Sequence, residues 1–315
     1  MTRPEAVLAA LLLLLLVALP FFAPNLVLNF AVGALILALA AQGWNLLAGF
    51  GGQFSFGHAA FFGMGAYADA VLQARYGVNA WASSAVGVLG GGMLGFALGF
   101  MAFRARLRGS YFALITLAFA EVLRILANAL PITGGAAGIL LRLDPRPANF
   151  QFESRAVFAW IAVALVASVL AGTALLARSR FGAYLVAVRE NEDAARALGV
   201  DALRVKLGAI ALSGAITAAA GCLYAQYFLY LDAEIAFGPR MSVEALLAAI
   251  VGGLGTVLGP VVGALALGGL GELTRTVAGG QLAGVDLLLF GLVLVAVIAF
   301  APGGVVGLLR RRAKA

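Results

Sequence analysis

The chain alternates between long apolar runs and short polar segments. Apolar runs of about 20 residues are long enough to cross the hydrocarbon core of a bilayer as α-helices. Eight such runs are predicted to span the membrane, near 5–22, 26–48, 55–75, 80–103, 110–130, 156–178, 207–230 and 282–300. The pattern therefore predicts an all-α fold, a single polytopic transmembrane helical bundle over residues 1–315.

A further apolar region, 241–277, is interrupted by residues that break helices. These residues are Gly252, Gly253, Gly255, Gly259 and Pro260. We read the region as two helices, 242–252 and 260–277, joined by a Gly-rich turn, so that the bundle has about eight full spans plus a broken-helix hairpin. Because unpaired backbone is costly in lipid, protein should shield the turn or the turn should line a cavity. Whether the short first helix crosses fully or re-enters stays open.

The most polar internal segment, 179–206, predicts a short surface helix over 191–199. Asn191 is a good N-cap, Glu192 and Asp193 follow where the helix dipole favours acids, and Gly199 is a natural C-terminal cap. A two-turn helix needs support from neighbouring parts of the protein. Its expected apolar edge is Ala194, Ala195 and Leu198. The residues predicted to couple this helix to a soluble partner are Arg189, Glu190, Asn191, Glu192, Asp193, Ala194, Ala195 and Gly199.

Lysine and arginine are unevenly distributed, and this bias orients the bundle because cytoplasmic loops are enriched in both. With a cytoplasmic N-terminus, one side of the membrane carries 14 of the 21 basic residues. These are Arg3, Arg104, Arg106, Arg108, Arg178, Arg180, Arg189, Arg196, Arg204, Lys206, Arg310, Arg311, Arg312 and Lys314. We therefore expect segment 179–206 and both termini in the cytoplasm. The run 5–22 also resembles a signal peptide, but it lacks a small-x-small cleavage site and is read as a retained first span.

Composition agrees with a membrane protein and excludes several kinds of site. Hydrophobic residues make up 63% of the chain and charged residues 11%, against about 25% charged in soluble domains. One cysteine and one histidine exclude a disulfide framework and a His/Cys metal centre. Neither Lys206 nor Lys314 follows a glycine, so the chain has no phosphate-binding loop. We predict no enzyme activity, no metal, no bound cofactor and no nucleic-acid partner, and any ATP with its Mg²⁺ would bind to partner subunits.

Polar residues at the start of the third run are candidates for a transport path. Gln53, Ser55 and His58 could form a polar lining or a hydrogen-bonded hinge, because polar groups within a membrane usually face a bundle interior or water. The alternative is that His58 is a hydrogen-bonded packing histidine.

Charged residues near the fifth run are further candidates. Glu121 and Arg124 are three residues apart on one helix face and should pair, either beside a substrate path or as a structural ion pair. Asp232 and Glu234 are expected to be solvated or to meet an external partner, and Glu244 to favour a helix N-terminus. The turn Thr133, Gly134 and Gly135 follows the run on the outer side, as a flexible loop, a partner contact or a lip of the path.

Several segments resemble the branched-chain amino-acid ABC transporter permeases. They are QFSFGHAAFFG at 53–63, RGSYFALITLAFAE at 108–121, TGG at 133–135, RENE at 189–192 and GGLGTVLGP at 252–260. Their order and spacing cover roughly residues 30–305, and the segment 108–121 followed by TGG is similar to the LivM type rather than the LivH type. Asp193, Ala194, Ala195 and Gly199 also resemble the coupling motif of ABC importers, Glu-Ala-Ala-x3-Gly, with Asp for Glu.

The resemblance implies a heteromeric importer in a bacterial or archaeal cytoplasmic membrane. This subunit would pair with a sister permease, two ATPase subunits and an extracytoplasmic substrate-binding protein, and it would import aliphatic amino acids by alternating access. Two alternatives stay open. One is import of an amide or urea by the same family, and the other is a stand-alone secondary transporter or channel that uses Glu121 for ion coupling.

Overall fold

The computed structural model describes residues 3–277, 291–292, 295 and 303–307. Within them the chain forms helices α1 Arg3–Phe22, α2 Asn25–Asn45, α3 His58–Tyr76, α4 Ala80–Arg104, α5 Ser110–Ala129, α6 Arg155–Arg178, α7 Arg180–Glu190, α8 Glu192–Ala197, α9 Ala202–Phe228, α10 Ala233–Phe237, α11 Pro239–Gly253 and α12 Gly259–Val277. A π-helical turn, Leu46–Phe50, extends α2. The two short strands β1 Ile139–Leu140 and β2 Tyr230–Leu231 pair antiparallel.

The prediction of an all-α polytopic fold is confirmed. Six helical segments of the described residues are long and apolar enough to cross a membrane, namely Asn25–Phe50, Ala80–Arg104, Ser110–Ala129, Arg155–Arg178, Ala202–Phe228 and Ala233–Gly253. Only residues 291, 292 and 295 of the predicted span 282–300 are among those described, so the span as a whole lies outside them, and the count of eight full spans is not confirmed. Helix α3 matches the predicted run 55–75 but is not among the six, because polar residues such as His58 and Asp69 make it less apolar.

Two groups of helices form the core. Helices α3, α4 and α9 pack together through small residues, and a methyl group on Gly65 of α3 would overlap the carbonyl oxygen of Ala218 in α9. Helix α2 is buried among α6, α9, α11 and α12. Close approach of backbones is the expected way to pack helices in lipid, where no hydrophobic drive brings them together.

The predicted broken-helix hairpin is present as α11 and α12. Helix α11 begins three residues before its predicted start and has 15 residues. Together with the short helix α10 it forms an apolar segment of 21 residues, which is long enough to cross by length and composition. The loop between α5 and α6 contains short 3-10 turns and β1, which pairs with β2 in the chain after α9.

The two ends of the bundle can be distinguished along α9. Segment 179–206 lies at its N-terminal end, and β2 and α10 follow its C-terminal end. Helix α9 has 27 residues and is therefore about 40 Å long. We refer to these as the coupling end and the opposite end of the bundle.

Candidate functional site

Helix α8 forms with the predicted caps. The side-chain oxygen of Asn191 accepts hydrogen bonds from the backbone N–H groups of Asp193 and Ala194 at 3.1 and 3.0 Å. At the other end, Gly199 has φ of 86°, and the N–H of Val200 donates to the carbonyl of Ala195 at 3.0 Å. This is the glycine cap that satisfies the last carbonyls of a helix. The predicted limits 191–199 thus enclose the observed helix.

The predicted apolar edge of α8 is wrong, because its three residues face different surroundings. Ala195 is buried against the protein, whereas Ala194 is exposed and Leu198 is 86% exposed. Residues 194 and 198 lie one turn apart on a helix, so they share a face, and 195 is turned away by 100°. Ala194 and Leu198 therefore form an exposed apolar surface on the side of this segment that faces away from the bundle.

A cluster of charges fixes α8 to the bundle. The Glu192 carboxylate, 10% exposed, lies 3.0 Å from Lys206 Nζ in α9, 2.6 Å from Arg196 and 3.4 Å from Arg108 in the loop after α4. The Lys206 side chain is only 4% exposed. A buried charge needs a close partner, so this cluster holds α8 against α9. Lys206 and Arg108 were not predicted to be partners of Glu192, because no local signal in the sequence links them to it.

Arg189, at the end of α7, links the 179–206 segment to the transmembrane helices. Its Nη1 donates a hydrogen bond to the carbonyl of Gly49 in the π-helical turn at 2.8 Å, and its Nη2 pairs with Glu190 at 2.6 Å. A Cβ on Gly52 would lie 2.6 Å from Arg189 Cγ, and one on Gly255 would lie 3.6 Å from Arg189 Nη1. Arg189 is therefore hydrogen-bonded to the end of α2 and lies beside the turn between α11 and α12.

Protein groups satisfy the backbone of that turn, residues 254–258. The Asn45 side chain donates to the Thr256 carbonyl at 2.9 Å and accepts from the Gly255 N–H at 2.8 Å, and Gln42 Nε2 donates to the Val257 carbonyl at 2.6 Å. These three hydrogen bonds agree with the prediction that the turn lies against protein or lines a cavity, whereas the side chain of Leu254 is exposed. Asn45 and Gln42 were not predicted as site residues. Their signal was two amide side chains within an apolar run, which are rare unless they have partners.

The five predicted break residues also have clear structural reasons. Gly253 and Gly255 have φ of 133° and 70°, a region that favours glycine. A methyl group on Gly252 would overlap the carbonyl of Gly259, so α11 and α12 touch at this point. Pro260 is the second residue of α12, where its missing N–H costs no helical hydrogen bond.

The predicted group Gln53, Ser55 and His58 does not line a cavity described here. His58 is buried, its Nε2 lies 2.8 Å from Ser213 Oγ, and Ser213 Oγ donates to the Gly43 carbonyl at 2.7 Å. Ser55 Oγ accepts from the backbone N–H of residue 57, and Gln53 bonds its own loop. This arrangement agrees with the packing alternative for His58, which joins α2, α3 and α9. A role in a path stays a prediction.

Glu121 and Arg124 form the predicted ion pair. Arg124 Nε and Nη2 donate to the two oxygens of Glu121 at 2.9 and 2.5 Å, and its Nη1 donates to Glu234 in α10 at 3.1 Å. The expectation that Asp232 and Glu234 are merely solvated is wrong, because Asp232 also caps α10 through the N–H of Ile235. The pair lies on a partly exposed face of α5, and its role stays open.

The turn Thr133, Gly134 and Gly135 closes α5. Thr133 Oγ1 donates to the carbonyls of Ala127 and Leu130 at 2.6 and 2.7 Å, and Gly134 has φ of 81°. These contacts explain the motif, because they satisfy carbonyl groups at the end of α5 and so terminate the helix. Contact with a substrate or partner remains a prediction.

A buried acid that the sequence analysis missed joins α3, α4 and α9. Asp69 accepts hydrogen bonds from Ser83 Oγ at 2.5 Å, Ser84 Oγ at 3.0 Å and Gln226 Nε2 at 2.6 Å. Such full hydrogen bonding is how a buried carboxylate is accommodated within a bundle. Among the described residues no three metal-ligating side chains converge.

A cavity of about 500 Å³ lies at the opposite end of the bundle, between α2, α3, α9, α10, α11 and α12. Its walls are mostly apolar, and its charged lining residues are Glu234, Arg240 and Glu244. Arg240 Nε donates to Glu244 Oε1 at 2.6 Å. Glu244 was expected to stabilise a helix N-terminus, but instead it forms an ion pair with a residue one helical turn earlier. A volume of 300–1,000 Å³ is typical of small-molecule sites.

Comparisons with known proteins agree on one family. A family model described as the permease component of the branched-chain amino acid transport system matches residues 26–298. The permease LivM of the high-affinity branched-chain amino acid transport system of Escherichia coli is 30% identical over an alignment of 330 positions, which covers 96% of this chain and 75% of that protein. The corresponding LivH of Salmonella typhimurium is 27% identical over 284 residues, covering 86% and 91% of the two chains. No solved structure matches the chain.

Proposed function

We propose, from the premise that the chain belongs to the family of branched-chain amino acid transport permeases, that it is the membrane subunit of an ATP-driven importer of branched-chain, aliphatic amino acids. Membership of this family accounts for a role as the permease of an importer. The position of Arg189 supports the proposal of an ATP-driven mechanism, because this residue joins the surface segment to a break in the transmembrane helices.

The mechanism follows from that contact. ATP-driven closure of the partner subunits pushes on the exposed face of α8, and the Glu192 cluster passes this push to α9 because it holds the two helices together. Arg189 passes it to the end of α2 and to the turn before α12. A helix break can rotate without losing hydrogen bonds in its own helix, so the push opens and closes the path at this turn.

The proposed partners are a sister permease, two ATPase subunits and an extracytoplasmic substrate-binding protein. This chain supplies no phosphate-binding loop, so ATP and Mg²⁺ bind to the ATPase subunits. Large apolar side chains on α5, such as Tyr111, Leu114 and Ile125, are exposed and suit contact with lipid or with the sister permease.

The proposed location is a bacterial or archaeal cytoplasmic membrane with both termini in the cytoplasm. The basic residues of 179–206 support this orientation. The described residues 303–307 lie at the coupling end, where a Cβ on Gly304 would lie 2.5 Å from the Gly253 nitrogen.

Cysteine labelling tests this orientation. Cys222 is the only cysteine of the chain and is buried, so a Cys222→Ala background is suitable. Leu254→Cys, at an exposed position of the turn, should react with a membrane-impermeant thiol reagent from the cytoplasmic side. Thr256→Cys, at a buried position of the same turn, is the control and should react slowly. Labelling of Leu254→Cys solely from outside would contradict the proposed orientation of the bundle.

Purification and reconstitution test the function. A tagged chain should co-purify with ATPase subunits, and proteoliposomes containing the complex and the binding protein should take up leucine when ATP is supplied. Urea and acetamide serve as test substrates for the same-family alternative. Leucine uptake that needs an ion gradient and no ATPase would contradict the proposal. The doubly paired Arg124 argues against the stand-alone transporter, because Glu121 is engaged in that pair.

A further inference from the structure

The cavity at the opposite end combines an apolar interior with a charged edge. Side chains of α2, α3 and α12 form its apolar walls, including Phe30, Leu37, Phe62 and Leu267. The charged edge comes from α10 and α11, through Glu234, Arg240 and Glu244. A ligand with both an aliphatic part and a charged part would fit this division.

Charges of both signs lie close together at that edge. The carboxylate of Glu244, whose side chain is 20% exposed, lies 2.6 Å from Nε of Arg240, whose side chain is 53% exposed. Glu234 Oε2 pairs with Arg124, and a Cβ on Gly238 would lie 2.9 Å from Glu234 Oε1, so this acid lies beside the start of α11. A guanidinium and two carboxylates between residues 234 and 244 therefore border the cavity.

We propose that this cavity binds the transported amino acid, with Arg240 facing its carboxylate, Glu244 facing its ammonium group and the apolar walls enclosing its side chain. The inference rests on the proposed function and assigns a substrate site within it. Neither the sequence nor the relatives place a substrate at these residues.

A zwitterion suits this edge because its two opposite charges can pair with the two charged side chains. Burying a single charge beside an existing ion pair leaves one charge unmatched, which is costly in an apolar site. A zwitterion inserts its carboxylate beside the guanidinium and its ammonium beside the carboxylate, so every charge keeps an opposite neighbour. Guanidinium groups bind carboxylates with strong, oriented hydrogen bonds. An uncharged amide cannot replace those contacts, so the site should discriminate against it.

Protection of an introduced cysteine tests binding at this place. In the Cys222→Ala background, Ile235→Cys places a thiol on the cavity lining, and Leu140→Cys places one on β1 at the same end but outside the lining. In the complete importer, saturating leucine should slow the labelling of Ile235→Cys and leave Leu140→Cys unchanged. Acetamide and urea should protect neither.

Charge variants test the two named residues. Arg240→Gln and Glu244→Gln should each lower Vmax/KM for leucine by about tenfold or more, as expected when a charged hydrogen bond is lost, and should abolish protection of Ile235→Cys. Arg240→Lys should recover part of the activity because it keeps the charge. Arg146→Gln removes a guanidinium from an exposed ion pair with Asp144 at the same end and should behave like wild type.

The outcomes separate this site from the function on which it rests. A wild-type importer that transports leucine without protecting Ile235→Cys overturns the site and leaves the function intact. Equal protection by acetamide or urea overturns the assignment of a zwitterion. Failure of the wild-type complex to transport leucine overturns the proposed function and with it this inference.

Discussion

At the coupling end, Glu192, Lys206 and Arg189 each have close protein partners, and buried amides of α2 hold the turn after α11. At the opposite end, Arg240 and Glu244 border a cavity of about 500 Å³. The coupling end is thus closely packed and hydrogen-bonded, whereas the opposite end contains a cavity. This difference suits the proposed roles of the two ends, because the transmission of a movement requires firm contacts and the binding of a ligand requires space.

The largest expected effect is at the crossing of α11 and α12. Gly252→Val should destabilise the protein by about 1–3 kcal/mol or more, because the new side chain overlaps the Gly259 carbonyl in a packed interface. Thermal unfolding of the purified protein measures this. Gly269→Val, at an exposed position of α12 with open space around it, is the matched control and should have little effect. Equal stability of the two variants would show that the crossing is not rigid.

The next effect concerns the charge cluster under α8. Glu192→Gln should cost roughly 3 kcal/mol of stability, because it leaves the buried Lys206 near two arginines and without its acid. Lys206→Met should cost less, since Glu192 keeps Arg196 and Arg108. Chemical or thermal unfolding of both single variants and the double variant measures the difference. If Lys206→Met proved the more harmful change, the cluster would not be organised around Glu192.

The smallest effect is expected at the partly exposed pair on α5. Glu121→Gln and Arg124→Gln should show a measurable coupling in a double-mutant cycle on unfolding, because Arg124 holds both Glu121 and Glu234. The Arg124 variant should be the more harmful of the two, since it frees both acids. A cycle with coupling indistinguishable from zero would show that this exposed pair adds nothing to the bundle.

Local chemistry explains why much of the coupling end could be predicted from sequence. A cap residue such as Asn191 and a terminator such as Gly199 act within a few residues of the helix they limit. The glycines between residues 252 and 259 likewise break a helix whatever the helix packs against. The apolar edge of α8 was not predicted correctly, because the face that Ala195 turns inward depends on α8 docking to the bundle.

Contacts between distant parts of the chain could not be predicted in the same way. Asn45 and Thr256 are 211 residues apart in sequence, and neither has a local feature that names the other. The cavity depends on the packing of helices from both halves of the chain, so its lining residues looked like ordinary apolar and solvated positions. Sequence therefore identified the elements and the family resemblance, whereas the proposed substrate site could be recognised only from the arrangement of the helices.

The central claim is that Arg189 transmits ATPase motion to the helix break. Arg189→Ala removes the hydrogen bond to Gly49 and the contact beside Gly255 while leaving the exposed face of α8 in place. Arg204→Ala, which removes an exposed arginine of the same segment, is the matched control.

The most direct measurement compares ATPase association, ATP hydrolysis and leucine uptake in reconstituted complexes of these two variants and the wild type. The account predicts that Arg189→Ala still binds the ATPase subunits and hydrolyses ATP but loses about tenfold or more of its ATP-driven uptake. The Arg204→Ala complex should match the wild type. Normal ATP-driven leucine uptake by Arg189→Ala, at normal expression and assembly, would contradict the account.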